Sequence, residues 1–101
     1  MLDKMKQVYQ LQKQAREMQK ALRDTEIEAQ GRRGWVTVVV NGELHVESVT
    51  LAEEALAAAH KRDLERELEE TFREALQKAQ AIAAEKSKEM MKAMNIDLPG
   101  L

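Results

Sequence analysis

Lys6, Lys13 and Lys20 stand seven residues apart, and Arg16 and Arg23 each follow a lysine by three. On a helix this spacing gathers the five cations on one side. Lys6 to Lys20 then spans about 21 Å at 1.5 Å of rise per residue. A row of ammonium and guanidinium groups does the chemistry of phosphate contact, in which each cation neutralises a backbone anion and releases a counterion. The competing reading is an ordinary solvated face, partly neutralised by Glu17. Charge distribution bears on the choice. Residues 1–23 hold six Lys/Arg against two acids, residues 35–84 hold five against ten, and the whole chain carries only −2. Such local asymmetry points to a polyanionic partner more than a uniformly mixed surface does. Arg32 and Arg33, between Gly31 and Gly34, add positive charge at a turn. Lys86, Lys88 and Lys92 add it near the end of the chain.

Other chemistry has little to work with. His45 and His60 lie apart, with no second histidine or cysteine at metal-ligand spacing. They read as ordinary side chains. The chain has no cysteine, so no disulfide or thiolate site is expected. Ser48 and Ser87 are the only serines. The Gly31-Arg32-Arg33-Gly34 segment joins two strands and opens no helix, so it is no phosphate loop of the Walker or dinucleotide type. The many acids read as an exposed helix face. No catalytic residue, bound metal, cofactor or small-molecule substrate is expected. No apolar run approaches the roughly 20 residues that span a bilayer, so no membrane partner is expected either.

The elements that must position the cations follow from periodicity. Residues 1–24 read as a helix, with Met1, Val8, Ala15 and Leu22 on one heptad position and Leu11 and Met18 on the other. The cations lie opposite this seam. Residues 25–29 read as a first strand. Residues 35–40 form a second, followed by Asn41-Gly42, a strong hairpin signal. A three-residue loop with Gly42 at positive φ keeps Val36, Val38, Val40, Leu44 and Val46 on one face, and Val49 and Leu51 then require a bulge near Glu47-Ser48. The sheet covers about 25–51 and leads to a short helical turn at 52–59. A long helix follows at 61–94, with Leu64, Leu68, Phe72, Ala75, Ala79, Ile82 and Met90 mostly on one face. Asn95 and Pro99 end it, leaving an extended tail at 95–101. The whole, 1–101, is one α+β domain. A chain of 101 residues with three aromatics has a thin core. Val8, Leu11, Ala15, Met18 and Leu22 on the helix, with Trp35 and Val39 on the second sheet face, are therefore expected to form a homodimer interface.

Several segments together resemble the YbaB/EbfC nucleoid-associated proteins of bacteria. They are Met5-Lys6-Gln7, Met18-Gln19-Lys20, Val36-Thr37-Val38-Val39-Val40-Asn41-Gly42, Val46-Glu47-Ser48-Val49 and the closing Leu98-Pro99-Gly100-Leu101. The chain departs from the family pattern at Arg32-Arg33, at Ala52-Glu53 and at Glu69-Glu70. The resemblance implies a tweezer-like homodimer that binds double-stranded DNA, has a capacity to alter its conformation, and works in the cytoplasmic nucleoid in chromosome organisation and gene regulation. The family's contact residues are not carried over, so the expected DNA-binding set rests on charge: Lys6, Lys13, Arg16, Lys20, Arg23, Arg32, Arg33, Lys86, Lys88 and Lys92. The alternative is a structural or chaperone-like protein with helical arms, as in prefoldin-type subunits, without DNA binding. Prefoldin arms carry apolar tips, whereas the stripe here is basic.

Overall fold

The structure, a computed structural model, describes residues 2–93. Helix α1 is Leu2–Arg23, strands β1, β2 and β3 are Glu26–Gln30, Val36–Asn41 and Val46–Leu51, and helix α2 is Lys61–Ala93. Two 3-10 turns, Glu53–Leu56 and Ala58–His60, stand where one short helical turn was expected. The expected tail at 95–101 lies outside the described residues.

The three strands form one antiparallel sheet in the order β1-β2-β3. Valine-rich β2 takes the centre, where its branched side chains pack on both neighbours. Ile27 and Ala29 of β1 pair with Val40 and Val38. On the other side Val36, Val38 and Val40 face Leu51, Val49 and Val46. The expected bulge is present: the register slips opposite Val39/Val40, leaving Glu47 unpaired. That extra residue returns Val49 and Leu51 to the apolar face.

Helix α2 crosses this face over β1 and β2. Its Ala75 and Ala79 meet Ile27, Ala29, Val36, Val38 and Val40, while Leu64, Leu68, Phe72 and Ile82 pack around them. Alanines at the crossing let the helix approach the sheet closely, and each fully buried valine adds about 1.5–3 kcal/mol. The coverage stops short of β3. Val46, Val49 and Leu51 share the apolar face yet remain 51%, 43% and 37% exposed.

Two expectations are corrected. Gly42 does not have positive φ; among the described residues that conformation belongs to Gly34 (72°) and Leu44 (68°). The Asn41 amide donates to the His45 carbonyl at 2.9 Å, so the loop between this pair does have three residues, Gly42 to Leu44, closed by a hydrogen bond from the Leu44 amide to the Asn41 carbonyl at 3.0 Å. In such loops a turn is followed by one left-handed residue, and that residue is the third. Gly42 is needed for a different reason. Its amide donates to the Leu22 carbonyl at 2.7 Å, and a Cβ at this position would stand 2.7 Å from the same oxygen. The contact pins the end of α1 to the hairpin.

The second correction concerns Glu67, expected on an exposed acidic face but only 4% exposed. It falls in a buried row at four-residue spacing, Glu67, Thr71, Ala75 and Ala79. Its Oε2 accepts the Trp35 and Val36 amides at 2.9 and 3.1 Å, and its Oε1 accepts the Arg33 amide at 3.2 Å. The carboxylate thereby satisfies amides of the β1–β2 turn that the ladder leaves unpaired. Gly31 belongs to the same device, because a Cβ there would overlap the Glu67 carboxylate.

The molecule measures 68 × 26 × 14 Å. Along α1, Leu22 is buried, Gln14 and Met18 are half-buried, and residues 2–13 are exposed. The first half of α1 is therefore an arm with no cover from the other described residues.

Candidate nucleic-acid interface

The basic residues fall into two groups, one at each end of α2. At the far end α1 lies beside the last turns of α2, where the Ser87 hydroxyl sits 3.9 Å from the Met18 sulfur. This packing turns Met18 inward and leaves Lys6, Lys13, Arg16 and Lys20 exposed on α1. Lys88 and Lys92 are exposed on α2 at the same end, and Lys86 is half-buried. Residues separated by more than sixty positions thus come together. Among the described residues, none of these seven cations makes an ion pair. Arg23 differs: its Nε donates to Glu43 Oε1 at 3.0 Å, so its charge is already offset.

Arg32 and Arg33 lie at the opposite end, about 30 Å away if measured along α2 from Glu67 to Ser87. Gly34, at positive φ, closes the turn through its amide to the Gly31 carbonyl at 3.0 Å. Arg33 is held in place. It reaches Asp63 Oδ2 at 2.9 Å, and its guanidinium lies 4.9 Å from the centre of the Trp35 ring. The hydrogen bond and charge of Arg33 hold the Asp63 carboxyl below the ordinary aspartate range. His60 packs on the other edge of this cluster, 4.9 Å from Trp35 between ring centres. Arg32 is exposed and makes no ion pair among the described residues.

The tip contains cations that sequence reasoning did not connect to it. Arg66 lines one cleft with Arg32, Arg33, Asp63, Glu67 and Glu70. Arg62 is exposed one helical turn before Arg66. Their sequence distance from Arg32 hides the association, because it depends on where α2 crosses the sheet. Between the two basic ends the surface is acidic. Glu26 and Glu28 of β1 and Glu69 and Glu74 of α2 are exposed there, and among the described residues Glu69 pairs with Arg73 and Glu74 with Lys78, while Glu70 borders the tip cleft.

The expected interface residues are distributed unevenly. Val8, Leu11 and Ala15 are exposed, Met18, Trp35 and Val39 are half-buried, and Leu22 is buried within its own chain. Among the described residues no cluster of three or more His, Asp or Glu side chains could hold a metal ion. No helix there is long and apolar enough to cross a membrane.

The crystal structure of the uncharacterized protein HP0035 from Helicobacter pylori is similar, with a TM-score of 0.69 over 82% of this chain and 96% of that one. At 14% identity this likeness speaks to the fold. A family model described as the YbaB/EbfC DNA-binding family matches residues 1–94. With a basic arm, a three-stranded sheet and a second long helix in that order, and a family match over nearly its whole length, the chain belongs to the YbaB/EbfC DNA-binding family.

Proposed function

We propose that the protein is a nucleoid-associated homodimer that binds double-stranded DNA chiefly through the phosphate backbone. Family membership supports DNA as the partner. The observation that carries the mode is the gathering of Lys6, Lys13, Arg16 and Lys20 with Lys88 and Lys92 at one end of the molecule, all exposed. Cations that meet phosphates position a protein on a duplex without reading its sequence. Trp35, the one tryptophan, is engaged by Arg33 and His60 rather than standing among the arm's cations. One exposed aromatic, Tyr9, does stand on α1 between Lys6 and Lys13, but a single ring is short of the successive platforms on which single strands stack, which favours duplex backbone binding. Bacterial nucleoid organisation, with consequent effects on gene expression, is the role that fits such binding, and the cytoplasmic nucleoid is the corresponding location.

The homodimer has its own support. Half of α1 finds no cover among the other described residues, and short solitary helices are marginal in water. Strand β3 is a sheet edge whose apolar residues Val46, Val49 and Leu51 are left exposed beside α2. A second copy brought to these surfaces by a two-fold axis would cover both.

Gel-shift titration of the purified protein on duplex DNA, with unrelated duplexes as competitors, tests the reading. The expected outcome is retardation that weakens steeply as salt rises and is relieved comparably by any duplex. Retention of an apolar client, with no duplex retarded even at low salt, would instead support the helical-arm alternative.

A further inference from the structure

We propose that the hairpin tip, built by Arg32 with Arg62 and Arg66, is a second phosphate-binding surface that takes a duplex segment separate from the one on α1. The inference rests on the DNA-binding reading above and extends it to a second contact. Three features support it.

The first is uncommitted charge. Arg33 is paired with Asp63 and Lys61 with Glu65. Glu67, the acid nearest the turn, spends both oxygens on backbone amides and is buried. Arg32, Arg62 and Arg66 are exposed and form no ion pair among the described residues, although the charge of Arg66 also bears on Asp63, which Arg33 already engages.

The second is rigidity. The turn that carries Arg32 is fastened by the Glu67 carboxylate, by the Arg33–Asp63 pair and by the stacking of Arg33 and His60 on Trp35. A fixed turn loses less conformational entropy when it meets a ligand. Guanidinium groups on such a support suit phosphate oxygens, which they can bind through two parallel N–H donors.

The third is separation. About 30 Å of α2 lies between Arg66 and Lys86, and that stretch exposes Glu69 and Glu74, paired with Arg73 and Lys78, beside Glu26 and Glu28, while Glu70 borders the tip cleft. A duplex lying continuously from the α1 arm to the tip would run its phosphates along this acidic band. Two duplex segments, one at each end, avoid it. A molecule with both surfaces holds two stretches of DNA together.

The test uses the full chain and its R62Q/R66Q variant, which leaves every cation of the expected α1 surface and Arg32 in place. Both arginines are exposed, so the variant should keep the wild-type unfolding curve. Binding to one short labelled duplex is measured by anisotropy. Tethering is measured as capture of a labelled duplex by protein loaded on bead-bound duplex. The expected result is single-duplex affinity within about twofold of wild type and capture reduced by about tenfold or more. Unchanged capture would overturn the proposal. So would capture and single-duplex affinity falling in parallel, since both surfaces would then meet one duplex. A wild-type protein that binds single duplexes but captures no second one refutes the tip alone. A wild type that binds no duplex refutes the DNA reading beneath it.

Discussion

Leu44 is the residue at which local chemistry and fold disagree most. It holds a left-handed φ of 68°, which costs an L-residue about 1–2 kcal/mol, and it is 42% exposed, so burial offsets little of that cost. Leu44→Gly should therefore be neutral or stabilising by up to about 1 kcal/mol after the larger unfolded-state entropy of glycine is counted. Gly42→Val should cost more than about 1 kcal/mol through collision with the Leu22 carbonyl. Urea midpoints of the two variants check both statements, and a Gly42→Val midpoint at the wild-type value would show that the close approach is absent. A further residue-scale expectation concerns pH. Asp63 has a folded pKa below its unfolded value, so its pair with Arg33 adds stability above the unfolded pKa and loses it as pH falls through the folded one. Both partners are about half exposed, so the effect on stability is small. The direct observable is the carboxyl titration of Asp63 by NMR. Its midpoint should rise in Arg33→Gln, and an unmoved midpoint would remove Arg33 as the cause.

At the scale of elements, the join between α2 and the β1–β2 turn rests on Glu67. Hydrogen bonds to a charged acceptor contribute about 1.5–3 kcal/mol each. Glutamine has one oxygen to offer and would direct N–H donors at backbone donors. Glu67→Gln should therefore destabilise by about 2 kcal/mol or more, read from denaturant unfolding; a loss near zero would mean that water replaces the carboxylate at those amides. The contrast between Glu67 and the sheet shows what the sequence made legible. Alternation in Val36 to Val40 and the odd numbering of Val49 and Leu51 were enough to place the bulge at Glu47, because a buried face tolerates only one register. A glycine needed for close approach looks the same in sequence as one needed for positive φ, so Asn41-Gly42 marks the loop but not the conformation of Gly42. Glu67 stands in the sequence as one of a run with Glu65, Glu69, Glu70 and Glu74. Its one local signal is the four-residue spacing to Thr71, Ala75 and Ala79, and its partners lie more than thirty positions away. The gathering of Lys88 and Lys92 beside α1, and of Arg66 beside Arg32, is tertiary in the same sense.

At the scale of the whole molecule, a 68 Å body with an uncovered arm and an uncovered sheet edge is expected to pair with a second copy. Light scattering should report about twice the 11.5 kDa chain mass, and Val49→Lys, on the exposed edge, should shift the population toward monomer. A wild-type mass that stays at one chain at high concentration would rule the dimer out. Charge is distributed at this same scale: two basic ends and an acidic middle, with the arm of α1 as the proposed DNA contact. The central claim is tested most directly by replacing Lys6, Lys13 and Lys20 with glutamine. Helix propensity is nearly constant in that change, and all three side chains are exposed, so the fold should survive. The measurement is the slope of log affinity against log salt on duplex DNA for wild type and variant. A slope that flattens by up to about 0.9 for each lost contact, with equal weakening on unrelated sequences, is the predicted result. A folded variant with unchanged affinity and unchanged salt slope would contradict it.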